Sequence, residues 1–243
     1  MNEYRPAFLL WVDLESTGLD PQKDDILELY FVVTSFESPF LTASYASSAF
    51  GHYLFSGRGR DRLLAGECNA FVAKMHEKSG LRAELEKPAE NLTTLSAAED
   101  ALLSLSADWP GVDVDVTALP DEERRAVTDS RVVIGGNSAH FDLSFLRVYL
   151  PRFARRLSHR IFDVSAMSLL ARSLGMPRLP KSERHRAKQD VEESVLQARI
   201  ISSWLDAPAS SRNYEAFSDD SYAFARKFWH TTTYGKTAGD GPR

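Results

Sequence analysis

Five consecutive apolar residues, Phe8-Leu9-Leu10-Trp11-Val12, run directly into Asp13-Leu14-Glu15, and this junction constrains the fold more than any other stretch of the chain. A run that is apolar at every position predicts a buried strand. It is shorter than the ~7–15 apolar residues of a signal-peptide core and the ~18 of a membrane span, so the expectation is a cytoplasmic protein with no membrane partner. Alternate side chains of a strand share a face, so Asp13 and Glu15 point the same way. Two carboxylates at the end of an apolar strand repel and resist desolvation unless something positive sits between them. Oxygen ligands of this kind suit Mg²⁺ or Mn²⁺. Taken alone, the pair equally describes a strand end whose acids reach solvent.

The surrounding pattern predicts an α/β fold. Residues 26–34 (ILELYFVVT) read as a second strand, and Gly18-Leu19-Asp20-Pro21 supplies the turn that would pair it antiparallel to the first. A third strand is expected within 40–55, followed by a flexible, charged loop tip at Ser56-Gly57-Arg58-Gly59-Arg60. Helices are expected over 68–79, 93–106, 120–128, 143–157, 164–174 and 190–206, the last from the stripe Val191, Val195, Leu196, Ile200 with Pro208 beyond its end. Arg131–Gly135 and Arg160–Phe162 read as short strands, and the acidic stretch Pro110–Asp121 as a loop insertion. Strands followed by alternating strands and helices give a mixed sheet with helices on both faces. Residues 1–206 would form that domain, and 207–243 a linker, an aromatic helical extension over Tyr214–Trp229 and a frayed tail.

Composition narrows the class. A chain of 243 residues that is 43% hydrophobic and 26% charged can bury a full core and is not disordered throughout. The single cysteine, Cys68, excludes an internal disulfide and any Cys-rich zinc framework. The net charge of −5 is unevenly spread: acids crowd 13–28 and 84–129, while Arg152, Arg155, Arg156, Arg160, Arg184, Arg186 and Lys188 crowd 147–188. That separation allows a cationic surface beside an acidic pocket, or simply a solvated, arginine-rich helix face.

Two further segments carry chemistry. In Gly136-Asn137-Ser138-Ala139-His140-Phe141-Asp142 a strand ends, the chain turns, and an acid sits where a helix begins. By itself Asp142 reads as a first-turn acid complementing the helix dipole. In His185-Arg186-Ala187-Lys188-Gln189-Asp190 an imidazole precedes a carboxylate at the head of the long helix. An imidazole can take a proton from water near neutrality, and a carboxylate at a helix start can hold a metal; an exposed loop histidine and a helix-start acid would look the same.

In order, D-x-E-x-T-G, a G-N-S-x-x-x-D block and H-x4-D resemble the DEDDh 3′–5′ exonucleases, and in detail the oligoribonuclease family. The segments WVDLESTGLDP, MHEKSGL, HRIFDVS and HRAKQDVEESV carry the closer likeness, which spans about Phe8–Leu205. The resemblance implies a ribonuclease H-like fold, two metal ions held by Asp13, Glu15, Asp142 and Asp190, and His185 as general base. It implies substrate contacts from Leu19, from Phe71 where the family typically has tryptophan, and from His76. It also implies that Ser138, Arg160 and Ser165 cap the 5′ phosphate of a dinucleotide. The expected partners are short single-stranded RNA, with DNA a possible second substrate, and a second copy of the chain in a homodimer. His159 stands where bacterial members carry a tyrosine, and residues from Ala207 onward have no counterpart in short members. The competing expectations are a related exonuclease trimming longer single-stranded DNA or RNA, a catalytically silent domain that binds nucleic acid or a protein, and a scaffold.

Overall fold

β1 (Phe8–Ser16) lies at the middle of a five-stranded sheet and decides what surrounds it. The computed structural model describes residues 8–35, 50–109, 111, 114–180 and 185–208. β1 pairs antiparallel with β2 (Ile26–Ser35), which pairs antiparallel with β3 (Phe50–Leu54). On its other side β1 pairs parallel with β4 (Val132–Gly136), and β4 pairs parallel with β5 (Leu157–Asp163). The order is β3-β2-β1-β4-β5, the mixed sheet that the pattern predicts.

Both faces of β1 are covered, which is why its sequence does not alternate. Leu10, Val12 and Leu14 join Leu29, Phe31 and Val33 in one core, against α4 (Leu95–Leu105), α6 (His140–Tyr149) and α7 (Pro151–Ala154). Leu9 and Trp11 join Tyr30, Val32 and Val133 in a second core, against α8 (Val164–Ser173) and α9 (Ala187–Asp206). The parity that sends Leu9 and Trp11 toward α9 also sends Asp13 and Glu15 there. A smaller cluster of Leu27, Leu63, Leu81 and Leu85 joins the sheet to α1 (Arg58–Ala65) and α3 (Leu81–Leu85), with α2 (Ala70–Lys78) between them.

Three expectations need correction. The charged loop tip at Ser56–Arg60 is instead the start of α1, because Asp25 neutralises its arginines: Arg58 Nε donates to Asp25 Oδ1 at 2.8 Å and Arg62 Nη1 to Asp25 Oδ2 at 3.0 Å. The helix expected over 143–157 is two helices and the start of a strand. It breaks at Leu150 (φ −132°, ψ 56°), ahead of Pro151, whose ring and missing N–H end one helix and begin the next. The strand expected over 160–162 extends over Leu157–Asp163. In addition, α5 (Asp121–Ser130) follows a short 3₁₀ turn at Val116–Ala118 within the expected insertion. Residues 40–49 of the region expected to hold the third strand and the aromatic segment Tyr214–Trp229 lie outside the described residues.

Phe145, completely buried between Phe141 and Tyr149 on α6, is the aromatic centre of the first core. Phe145→Ala should lower unfolding stability by about 3–5 kcal/mol, read from a shift in the urea midpoint at unchanged slope.

Candidate active site

The acids converge because three elements end at the same edge of the sheet. β1 delivers Asp13 and Glu15, the first turn of α9 delivers Asp190, and their carboxylate oxygens lie within 4.8 Å of one another. The first turn of α6 delivers Asp142, whose Oδ1 accepts the Leu14 N–H at 3.0 Å. All four acids, with His185, Asn137, Ser138 and Ser194, line one cleft of about 190 Å³.

Crowding shows in the proton affinities. Burial, and then Asp142 and Asp190, push the Asp13 carboxyl well above its ordinary value. Burial, Asp190 and Glu28 do the same to Glu15, partly opposed by Arg186. Asp142 is raised chiefly by burial, against the pull of the Leu14 N–H. Such a cluster is costly as anions and fits a hard divalent cation, which would supply the missing positive charge.

What holds the third carboxylate in place was not visible in the sequence. Glu28, on β2 opposite Glu15, is 0% exposed and accepts from Arg186 Nε at 3.0 Å and Nη2 at 2.9 Å. The same guanidinium reaches both oxygens of Glu84 at 3.1 Å. His52 Nε2 lies 2.6 Å from Glu28, and the Ala187 N–H donates to Glu28 at 3.3 Å. Burial alone would raise the Glu28 carboxyl, but hydrogen bonds from His52 and Arg186 outweigh it and hold it below its ordinary value. The head of α9 is therefore anchored to β2, and the Arg186 N–H donates to Asp190 Oδ2 at 3.1 Å. His185, one residue earlier, is exposed on the cleft wall with a left-handed backbone (φ 48°), a conformation that non-glycine residues rarely adopt. The one sequence sign was an acid, Glu28, inside an otherwise apolar strand.

The remaining expected contacts divide. Leu19 is 82% exposed after β1, and Phe71 is 75% exposed at the start of α2, so both present bare apolar surface to solvent. Ser138 Oγ and Ser165 Oγ lie 3.3 Å apart, gathered by Asp163, whose Oδ1 accepts both their backbone N–H groups at 3.2 and 2.8 Å. Arg160 does not join them: its guanidinium is ion-paired with Asp129 at the end of α5. His76 lies behind the cleft rather than on its wall, at 0% exposure, its Nε2–H donating to the Ser16 carbonyl at 2.8 Å and its Nδ1 3.9 Å from Glu15. The arginines crowded over 147–188 are partly consumed, since Arg152 pairs with Glu99 and Asp100, and Arg186 with Glu28 and Glu84.

Fold and site define a nuclease-type hydrolase built on the ribonuclease H-like exonuclease fold. Among solved structures the chain resembles an exonuclease I from Methylocaldum szegediense (TM-score 0.52, 16% identity), covering 81% of this chain and 40% of that one. It also resembles the zinc-bound E. coli exonuclease I–single-stranded DNA complex (TM-score 0.51, 12% identity), covering 82% and 41%. The likeness is one of fold, and the chain spans about 40% of those longer proteins. No family model matches it.

Relatives narrow the class. The chain is 33% identical over 195 residues to a probable oligoribonuclease of Dictyostelium discoideum, covering 79% of this chain and 86% of that protein. It is 31% identical over 196 residues to the mitochondrial oligoribonuclease of Homo sapiens (79% and 70%), and 29% over 231 residues to the oligoribonuclease of Corynebacterium glutamicum strain R (90% and 90%). The chain belongs to the oligoribonuclease family. Among the described residues, no helix is long and apolar enough to cross a membrane.

The raised carboxyls set a pH dependence. The native state holds protons on Asp13, Glu15 and Asp142 that the unfolded chain gives up near the ordinary value of about 4. The native state then binds more protons than the unfolded one, so stability falls as pH rises above that value. In chelator, thermal unfolding should therefore move to lower temperature between pH 5 and pH 8 (values chosen for the experiment). Added Mg²⁺ or Mn²⁺ should remove most of that slope by favouring the ionised forms. A slope indifferent to divalent cation would dissociate the acids from metal binding.

Proposed function

We propose that the chain is a 3′–5′ exoribonuclease that hydrolyses short oligoribonucleotides, down to dinucleotides, to nucleoside 5′-monophosphates. The observation that carries this reading is the convergence of Asp13, Glu15, Asp142 and Asp190 with His185 on one small cleft, in a chain of this family.

In this reading Asp13, Glu15, Asp142 and Asp190 hold two divalent ions, Mg²⁺ or Mn²⁺. Bound there, such ions lower the pKa of the attacking water and neutralise the scissile phosphate. The side chains divide the remaining work. His185, held at the cleft mouth by the anchored head of α9, takes the proton from the water through its imidazole. Leu19 and Phe71 offer apolar and aromatic faces for the bases, and base–aromatic stacking is tolerant of sequence. The Ser138 and Ser165 hydroxyls are donors for a terminal phosphate. Arg160 completes that cap once its guanidinium exchanges Asp129 for the phosphate, a trade between two anions that its planar fork permits. His76 supports Glu15 from behind. The reading includes a homodimer, with 159–165 near the partner copy, and a cytoplasmic location; the relatives from Bos taurus and Homo sapiens carry the name mitochondrial.

Time courses on 5′-labelled RNA and DNA of two to ten nucleotides test the activity. Asp190→Asn should abolish cleavage. His185→Ala should lower kcat by about 10²–10⁴-fold with little change in substrate binding. Equal losses in binding and turnover would make His185 a contact residue.

Length selection is tested at Arg160. A charge-assisted hydrogen bond is worth about 1.5–3 kcal/mol, so Arg160→Ala should weaken 5′-phosphorylated dinucleotide turnover about ten- to a hundredfold and slow heptamer turnover much less. Equal losses at both lengths would leave Arg160 as a general phosphate contact.

A further inference from the structure

The acidic cleft is not the only concavity among the described residues. An open basin of about 1260 Å³ lies on the other side of α6, between Gly111, Val114, Asp115 and Thr117, the end of α5 and the start of β5. Helix α6 divides the two: Phe141 and Asp142 line the cleft, while Leu143 and Arg147 line the basin. In a chain whose net charge is −5, the basin wall carries Arg131, Arg147 and Arg155, with His159 beside them, against one acid among the described residues, Asp115.

These charges are not cancelled locally. Arg131 donates to the carbonyls of Gly111 at 3.3 Å and Arg155 at 3.2 Å, contacts that fix the guanidinium and leave its charge intact. Arg147, Arg155 and His159 are exposed, and among the described residues their side chains have no carboxylate partner. Arg152, on the same wall, is the contrast, since Glu99 and Asp100 each hold it at 2.8 Å. Unneutralised guanidinium groups spread over a concave surface are a poor match for a single phosphate. They suit a chain of phosphates, each of which they can meet through a fork and each of which releases counterions.

We propose that this basin binds the phosphodiester backbone of single-stranded RNA whose end lies in the acidic cleft. The inference rests on the exoribonuclease reading and extends it to substrates longer than a dinucleotide. β5 connects the two places: His159 lies on the basin and Asp163 gathers Ser138 and Ser165 beside the cleft. Four strand residues span about 13 Å at ~3.3 Å each. Stacked nucleotides rise ~3.4 Å each, so a dinucleotide stays in the cleft and a heptamer reaches the basin. A twofold interface centred on the basin would set the cationic patch against itself, so the partner copy proposed near 159–165 would meet the basin at its His159 side and leave Arg147 and Arg155 to the RNA.

The test compares wild type with Arg147→Gln/Arg155→Gln and with the charge-preserving Arg147→Lys/Arg155→Lys. Cleavage of di- and heptaribonucleotides is followed across a salt series. Binding of a fluorescein-labelled heptamer is followed by anisotropy in chelator. The glutamine pair should raise the heptamer KM about tenfold at unchanged kcat and leave dinucleotide kcat/KM within about twofold. It should flatten the salt slope of heptamer binding by about 1.4, since each phosphate no longer met by a cation removes ~0.7, and the lysine pair should restore most of it. Equal effects on both lengths, or none, would overturn the site. So would unchanged heptamer binding with loss of a dimer by light scattering, which would make the basin an interface between copies. If wild type cleaves neither RNA, the exoribonuclease reading falls, while anisotropy still decides whether the basin holds RNA.

Discussion

The ion pair between Glu28 and Arg186 determines where α9 begins, and the chemistry of the cleft depends on that starting point. A fully buried glutamate is expensive unless each oxygen is satisfied. Here Arg186, His52 and the Ala187 N–H between them occupy both oxygens. The position of the pair matters more than its contribution to stability. It fastens the residue between His185 and Ala187 to the strand that pairs with β1, so the histidine and Asp190 are referenced to the same sheet as Asp13 and Glu15. It also lends positive charge to a crowded set of carboxylates, and Arg186 is a counterweight to the rise at Glu15.

A division of labour follows. The two β1 acids have backbones fixed by strand pairing, whereas Asp142 and Asp190 arrive on helix first turns. Acids in a first turn gain from the helix dipole, which offsets part of the cost that burial and crowding impose on Asp142. The Leu14 N–H that holds Asp142 turns one of its oxygens toward the strand. Around this rigid centre the contacts expected to meet the substrate are looser: Leu19 and Phe71 project from a loop and a helix start, and Arg160 is engaged elsewhere.

Local periodicity made part of this legible. The apolar run and the D-x-E parity required only the two-residue repeat of a strand, and α9 required only a helical stripe, so sheet, helix and acids were readable together. The rest depended on partners far apart in the chain. Glu28 and Arg186 are 158 positions apart, and neither residue type announces the other. Residues 56–60 have the glycines of a loop, but the helix α1 begins at Arg58, whose charge is met by Asp25, 33 positions earlier. The density of arginine over 147–188 suggested a broad cationic surface, but sequence cannot reveal which guanidiniums are already committed. Arg152 and Arg186 are; among the described residues Arg147 and Arg155 have no carboxylate partner. The break at Leu150-Pro151 is a different case: the proline was in plain view, yet the helix expected over 143–157 ran through it.

The central place of β1 has one more consequence, for how the molecule comes apart. Regions open independently at costs that run from near zero at peripheral segments up to the full unfolding free energy at the core. β1 is flanked by strands on both edges and by a hydrophobic core on each face, so it belongs with the last part to open. α1 and α3 rest on the sheet through a smaller cluster of leucines, with ion pairs from Arg58 and Arg62 to Asp25 and from Arg186 to Glu84 at its margin, and stand lower on that scale than β1. Phe71, on the helix between them, therefore rides on ground that can breathe while Asp13 and Glu15 remain seated. A protein built this way can open at its periphery while the two β1 carboxylates keep their places in the sheet.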